Sequence, residues 1–222
     1  SVMLSGTADG VARPLVTSLP SSAFVTFDGE DVLLVETIAG GERGATRITR
    51  YPAGQPESMR RVVLELTGQV RDEGRVAVDT DGRVWAVTGD GLWRSLPRDV
   101  VGAGAQVPLV NGPNGGRVNA FALLPSGLAL VAIENEVWLS DGAARLEHFA
   151  TLPESVQALA AFGTGFVAIA ASQVFVLEGA GPIRRILTRN PASPYQTTEA
   201  AVAVSGRQVL IERIGRALTL PL

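Results

Sequence analysis

One pattern of apolar and polar positions recurs along the chain: a polar residue, a short apolar run, a turn closed by glycine, then a second apolar run. It reads AFVTFDGEDVLLVE from Ala23, RVAVDTDGRVWAVT from Arg75, NAFALLPSGLALVAI from Asn119, QALAAFGTGFVAIAA from Gln157 and EAAVAVSGRQVLIE from Glu199. The turn glycines in this reading are Gly29, Gly82, Gly127, Gly165 and Gly206. They lie 53, 45, 38 and 41 residues apart, near the period of about 40–45 residues that a four-stranded propeller blade needs.

Each unit parses into four strands. In the third, the strands are Asn119–Leu124, Leu128–Ile133, Glu136–Ser140 and Leu146–Leu152, separated by Pro-Ser-Gly, Glu-Asn and Asp-Gly turns. The first two strands of a unit are continuous apolar runs, as expected for strands covered on both faces. The fourth, such as Arg61–Leu66, mixes charge with hydrophobes, as an outer edge does. No segment carries an i, i+3, i+4, i+7 apolar stripe, so helix should be nearly absent.

The expected fold is therefore an all-β propeller of four-stranded antiparallel blades in one domain, 1–222, with blades near 22–67, 75–112, 118–153, 156–188 and 198–222. Val2–Leu19 resembles Val137–Leu152, the third and fourth strands of a blade. The N-terminal strands, 1–19, are thus expected to complete the last blade and close a five-bladed ring. A sixth blade split between the ends is the alternative count, because both ends offer a third strand.

Composition narrows the chemistry. The chain has 222 residues, 46% hydrophobic and 18% charged, which suits one well-filled core rather than a disordered chain. There is no cysteine and one histidine, so disulfide scaffolds, thiolate nucleophiles, Cys-based metal sites and His clusters are excluded. All 19 basic residues are arginine, so no Schiff-base or P-loop lysine exists. GC-rich coding explains this arginine bias. With a net charge of −3, the basic footprint of a duplex-binding protein is missing. No apolar run approaches the roughly 20 residues of a membrane-spanning helix. No cofactor or metal is expected, and nothing in the sequence fixes the oligomeric state.

The segment Asp81–Arg94, DGRVWAVTGDGLWR, resembles the propeller repeats of bacterial two-component sensor ectodomains. Asp81, Gly82, Trp85, Thr88, Gly91, Leu92 and Trp93 match that repeat, whereas Trp138 and Phe175 keep only an aromatic in the third strand. The resemblance implies a propeller with an extracytoplasmic sensing or binding role, periplasmic or secreted. The histidine kinase module of that family is absent from this chain.

Aligned on the turn glycine, the first strands begin with Ser22, Arg75, Asn119, Gln157 and Glu199. In a propeller these polar residues would ring the mouth of the central channel and bind a protein or peptide partner. The competing explanation is a hydrogen-bonded ring that satisfies buried backbone. The loops of the same face offer Asp72, Glu73, Arg117, Arg189 and Tyr195. The stretch 188–198 is the longest of them, and long loops tend to be functional or mobile.

Other candidates have plain structural readings. Asp79-Thr80-Asp81-Gly82 opens like a calcium loop, but it lacks the later acidic ligands and suits a hairpin turn. Trp85, Trp93, Trp138 and Phe175 read as inter-blade packing rather than sugar stacking. His148 falls on an outer strand, away from the channel. Glu199 with Asp72, Glu73 or Glu154 is the one carboxylate group that could share a face, as a glycosidase-type or lactone-cleaving site would require. The leading expectation is a non-catalytic binding module that docks a protein, peptide or envelope component. A carboxylate enzyme, with or without calcium, is the alternative, and a structural subunit of a larger assembly is a third reading.

Overall fold

Paired strands account for nearly all the regular structure. The computed structural model describes residues 3–5, 13–16, 23–29, 31–38, 44–55, 57–70, 75–88, 91–100, 102, 104–107, 118–142, 146–170, 173–188, 201–213 and 216–222. The first two strands, β1 (Met3–Ser5) and β2 (Arg13–Val16), pair with each other. Four four-stranded sheets follow, each pairing its strands in chain order. The first holds β3 (Ala23–Asp28), β4 (Asp31–Ile38), β5 (Ala45–Tyr51) and β6 (Arg61–Thr67). The second holds β7 (Val76–Val78), β8 (Val84–Thr88), β9 (Gly91–Arg94) and β10 (Ala105–Val107). The third holds β11 (Val118–Leu123), β12 (Ala129–Ile133), β13 (Glu136–Ser140) and β14 (Leu146–Thr151). The fourth holds β15 (Val156–Phe162), β16 (Gly165–Ala170), β17 (Gln173–Leu177) and β18 (Arg184–Thr188). A three-stranded sheet of β19 (Ala201–Ser205), β20 (Gln208–Arg213) and β21 (Arg216–Pro221) ends the chain. Helix among the described residues is the 3-10 turn Glu57–Met59 and a 3-10 residue at Arg75.

The chain forms two compact units: Ser1–Ala86 with Trp93–Gln106, and Val87–Leu92 with Val107–Leu222. In each, the apolar core lies between consecutive sheets. In the first unit, Leu33, Ile48 and Leu64 meet Val76, Val84 and Ala86. In the second, Leu130, Val137 and Ala150 meet Leu159, Phe166 and Ala168, and a further layer joins Val174 and Val176 to Val209 and Ile211. The second strands β8, β12 and β16 are buried along their whole length, so their unbroken apolar sequences have both faces covered. Each such Val, Leu or Ile contributes roughly 1.5–3 kcal/mol by burial.

The repeat is written in bulges as well as in apolar runs. The ladders β5–β6, β13–β14 and β17–β18 each slip by one residue, leaving Val63, Phe149 and Ile186 as the extra residue of the outer strand. A bulge adds local twist and re-aims side chains.

One expectation needs correction. The turn glycine of the fourth unit is Gly163, with φ +58°; Gly165 instead opens β16, where an added Cβ would lie 2.0 Å from the Leu177 carbonyl oxygen. Glycine is needed there for close approach, not for turn geometry. The N-terminal strands and the last three strands form separate sheets among the described residues. The expected completion of the last blade by β1 and β2 is thus not among the described ladders.

Candidate functional site

The sequence-derived set divides into residues the structure describes and residues outside them. Ser22, Asp72, Glu73, Arg117, Arg189, Tyr195 and Glu199 lie outside the described residues. Arg75 precedes β7 in the first unit, half-buried and partnered. Asn119 and Gln157 stand second in β11 and β15 of the second unit, and β11 packs against β15. Each is the extra residue of a bulge, since Val118 and Ala120, and likewise Val156 and Ala158, pair across the skipped position. The bulge is the local reason a polar residue fits ahead of these apolar runs. Asn119 donates to Ser155 Oγ at 3.2 Å, whereas Gln157 Oε1 is buried without a hydrogen-bond partner.

The densest polar chemistry among the described residues lies elsewhere, at the turn ends of β3, β4 and β5 in the first unit. Arg50 is 1% exposed, and its Nη2 lies 2.6 Å from Asp28 Oδ2 and donates to the Gly82 carbonyl at 2.8 Å. Arg98 Nη2 reaches the same Asp28 Oδ2 at 2.7 Å, Asp31 Oδ2 at 3.4 Å and the Asp28 carbonyl at 3.1 Å. The two guanidinium contacts to Asp28 Oδ2 are close but off the N–H axis, and the Nε atoms of Arg50 and Arg98 are buried without hydrogen-bond partners. Asp31 Oδ1 accepts from the Ala53 amide at 3.0 Å. Burial lowers the Arg50 pKa from its ordinary value, partly offset by Asp28. Close contact with the Asp28 carboxylate raises that of Arg98.

This cluster was missed in the sequence because its members sit in different turns. A signal existed: on β5, Thr46, Ile48 and Arg50 share one face and all three are buried, so an arginine stands in line with a core isoleucine. Gly82 completes the arrangement. Its φ is +70° and an added Cβ would stand 2.7 Å from Arg98 Cβ, so the turn and the close approach both require glycine.

Beside the cluster, within the first unit, lies a pocket of about 220 Å³ with Arg50 and Arg61 in its lining. Apolar side chains form most of the rest, and three of them, Val62, Leu96 and Val100, are 44%, 38% and 48% exposed. Arg61 donates to the Arg98 carbonyl, which ties the pocket wall to the cluster. Asp28 and Asp31 are not in the lining.

The remaining candidates are occupied structurally. Asp79 Oδ1 accepts from the Asp81 and Arg83 amides at 2.9 Å each, and its Oδ2 accepts from Trp85 Nε1 at 2.9 Å. The Asp-Thr-Asp-Gly run is a turn that anchors the buried Trp85, over which Arg94 stacks at 5.1 Å. His148 is exposed on β14, bonded to Thr151 Oγ1 at 3.0 Å and edge-on to Trp138. Glu154 accepts from Gln173 Nε2 at 2.8 Å.

No family model matches the chain, and no curated protein matches it in sequence. Solved structures do match. The extracellular domain of BT4673 from B. thetaiotaomicron, assigned to a one component system, is 14% identical with a TM-score of 0.57, over 90% of this chain and 27% of that one. The gluconolactonase XC5397 from Xanthomonas campestris is 17% identical with a TM-score of 0.58, over 99% of this chain and 78% of that one. PorZ, a surface component of the type-IX secretion system of Porphyromonas gingivalis, is 14% identical with a TM-score of 0.59, over 100% and 30%. The fold is a β-propeller. It resembles bacterial sensor ectodomains, as the Asp81–Arg94 segment implies, and this chain spans only about a quarter of the first of these neighbours. No helix among the described residues is long and apolar enough to cross a membrane.

Proposed function

We propose that this propeller is a non-catalytic binding module that docks a protein or peptide partner outside the cytoplasm. The observation that carries the reading is the pocket of the first unit, where exposed Val62, Leu96 and Val100 stand over two arginines. Apolar side chains grouped on a surface beside fixed charge suit a covered interface. The nearby carboxylates support the same reading: Asp28 and Asp31 are engaged by arginines, and Asp79 by its turn and Trp85. A general acid or base must instead be free to reach a substrate proton.

Within the second unit the polar strand starts Asn119, Gln157 and Glu199 are proposed as a further contact surface, Ser22 and Arg75 belonging to the first unit. The sensor ectodomain and surface-component neighbours support the location. The gluconolactonase neighbour keeps lactone cleavage as the competing reading, with Glu199, Asp72, Glu73 or Glu154 as its carboxylates. A gluconolactone hydrolysis assay, with and without added calcium, separates the two. The binding module predicts rates at the uncatalysed background in both; turnover abolished by Glu199→Gln or Glu154→Gln contradicts it.

A further inference from the structure

We infer that the pocket beside Arg50 and Arg61 binds a peptide segment of a partner protein that carries a carboxylate next to a branched aliphatic side chain. This rests on the binding-module reading and names the chemistry of its partner. The charges are unevenly paired. Asp28 and Asp31 lie against both Arg50 and Arg98, Asp99 acts on Arg98 as well, and none of these ion pairs is to Arg61. Among the described residues Arg61 has no carboxylate partner, and its hydrogen bond is to the Arg98 carbonyl. The chain carries a net charge of −3, yet among the described residues this lining holds two arginines and no acid. An anion completes it.

The rest of the lining selects the body of that ligand. Val62, Leu96, Pro97 and Val100 supply a wall of aliphatic carbon. A pocket near 220 Å³ falls below the roughly 300–1,000 Å³ typical of sites that engulf a small-molecule ligand. It suits one or two side chains anchored from a longer partner, the geometry of an interface hot spot. The cluster beneath makes Arg61 a fixed donor: Asp28 and Asp31 hold Arg98, whose carbonyl holds Arg61. Preorganisation of this kind lowers the ordering cost of binding. The attraction should weaken with salt, because Arg61 is only half-buried.

Selection from a displayed random-peptide library on the whole chain tests this, followed by anisotropy titration of the recovered peptides against wild type, Arg61→Gln and Leu96→Asp/Val100→Asp. The expected result is a consensus pairing Asp, Glu or a free C-terminal carboxylate with Leu, Ile or Val. Binding should fall at least tenfold in both variants and weaken between 50 and 300 mM salt, on the order of the Debye screening change. Amidating the peptide's C-terminus identifies which carboxylate is used. Both variants alter partly exposed side chains, and an unchanged Tm shows that they remain folded. Peptides that bind both variants as tightly as wild type overturn the pocket while leaving the module. A basic consensus overturns the charge assignment. Recovery of no peptide overturns the inference, and only lactone turnover overturns the module itself.

Discussion

The sheets β3–β6 and β11–β14 share one plan and differ at one end. Aligned on their outer-strand bulges, Arg50 takes the slot of Leu139, because both follow the residue next to the slip. The first hairpins align likewise: Asp28 takes the slot of Leu124 and Asp31 that of Leu128. In the second unit the three leucines join the apolar core layer. In the first unit the same three slots hold two carboxylates and a guanidinium that is 1% exposed. The fourth sheet agrees with the leucine version, placing the fully buried Val176 where Arg50 stands. The same strand plan therefore occurs without these charges in the β11–β14 and β15–β18 sheets. Within the described residues the three charges occur together in this one sheet, beside a pocket lined by two arginines.

Breaking this trio from one side should have the largest effect. Arg50→Ala leaves Asp28 without its buried partner and should cost about 3–5 kcal/mol in urea unfolding, the usual penalty for a half-removed buried ion pair. Replacing the trio as a whole sharpens the comparison. Asp28→Leu/Asp31→Leu/Arg50→Leu rebuilds the arrangement of the β11–β14 sheet and should leave stability unchanged or raise it by about 1–4 kcal/mol. Arg98, 42% exposed at its side chain, can then turn to water. A triple variant less stable than Arg50→Ala would break the equivalence of the two sheets.

Gly82→Ala comes next. It combines a left-handed φ with the Arg98 Cβ at 2.7 Å, and a loss of about 1–3 kcal/mol should appear in thermal unfolding. The matching turn glycine of the β11–β14 sheet, Gly127, has φ +83° but open space around its missing Cβ. Gly127→Ala should cost less than Gly82→Ala, and the difference isolates the close approach of Arg98. Smaller still is His148→Ala, which removes the edge-on contact with Trp138 and one exposed hydrogen bond; differential denaturation should register under about 1.5 kcal/mol.

The scaffold was legible in the sequence to the extent that it is set by apolar runs and turn residues. Glu136–Ser140 forms the strand read from the pattern, and Ala129–Ile133 begins one residue later than read. The polar Asn119 and Gln157 were visible as exceptions to the pattern, although the bulges behind them were not, because a bulge depends on the partner strand. Gly165 was assigned to the turn because two glycines lie close together; which one takes positive φ is decided by the Leu177 carbonyl, more than ten residues on. The Asp28–Arg50–Arg98 cluster draws on separate turns and on tertiary approach. Single-strand alternation on β5 gave the one clue, an arginine in phase with Ile48.

The claim that the polar trio serves binding rather than stability is tested most directly by one titration. The acidic, aliphatic peptide recovered by selection is added to the folded Asp28→Leu/Asp31→Leu/Arg50→Leu variant and followed by fluorescence anisotropy. The account predicts a loss of at least tenfold in affinity, on the order of 1.4 kcal/mol, as Arg98 and then Arg61 lose their anchors. Affinity equal to that of wild type would contradict it.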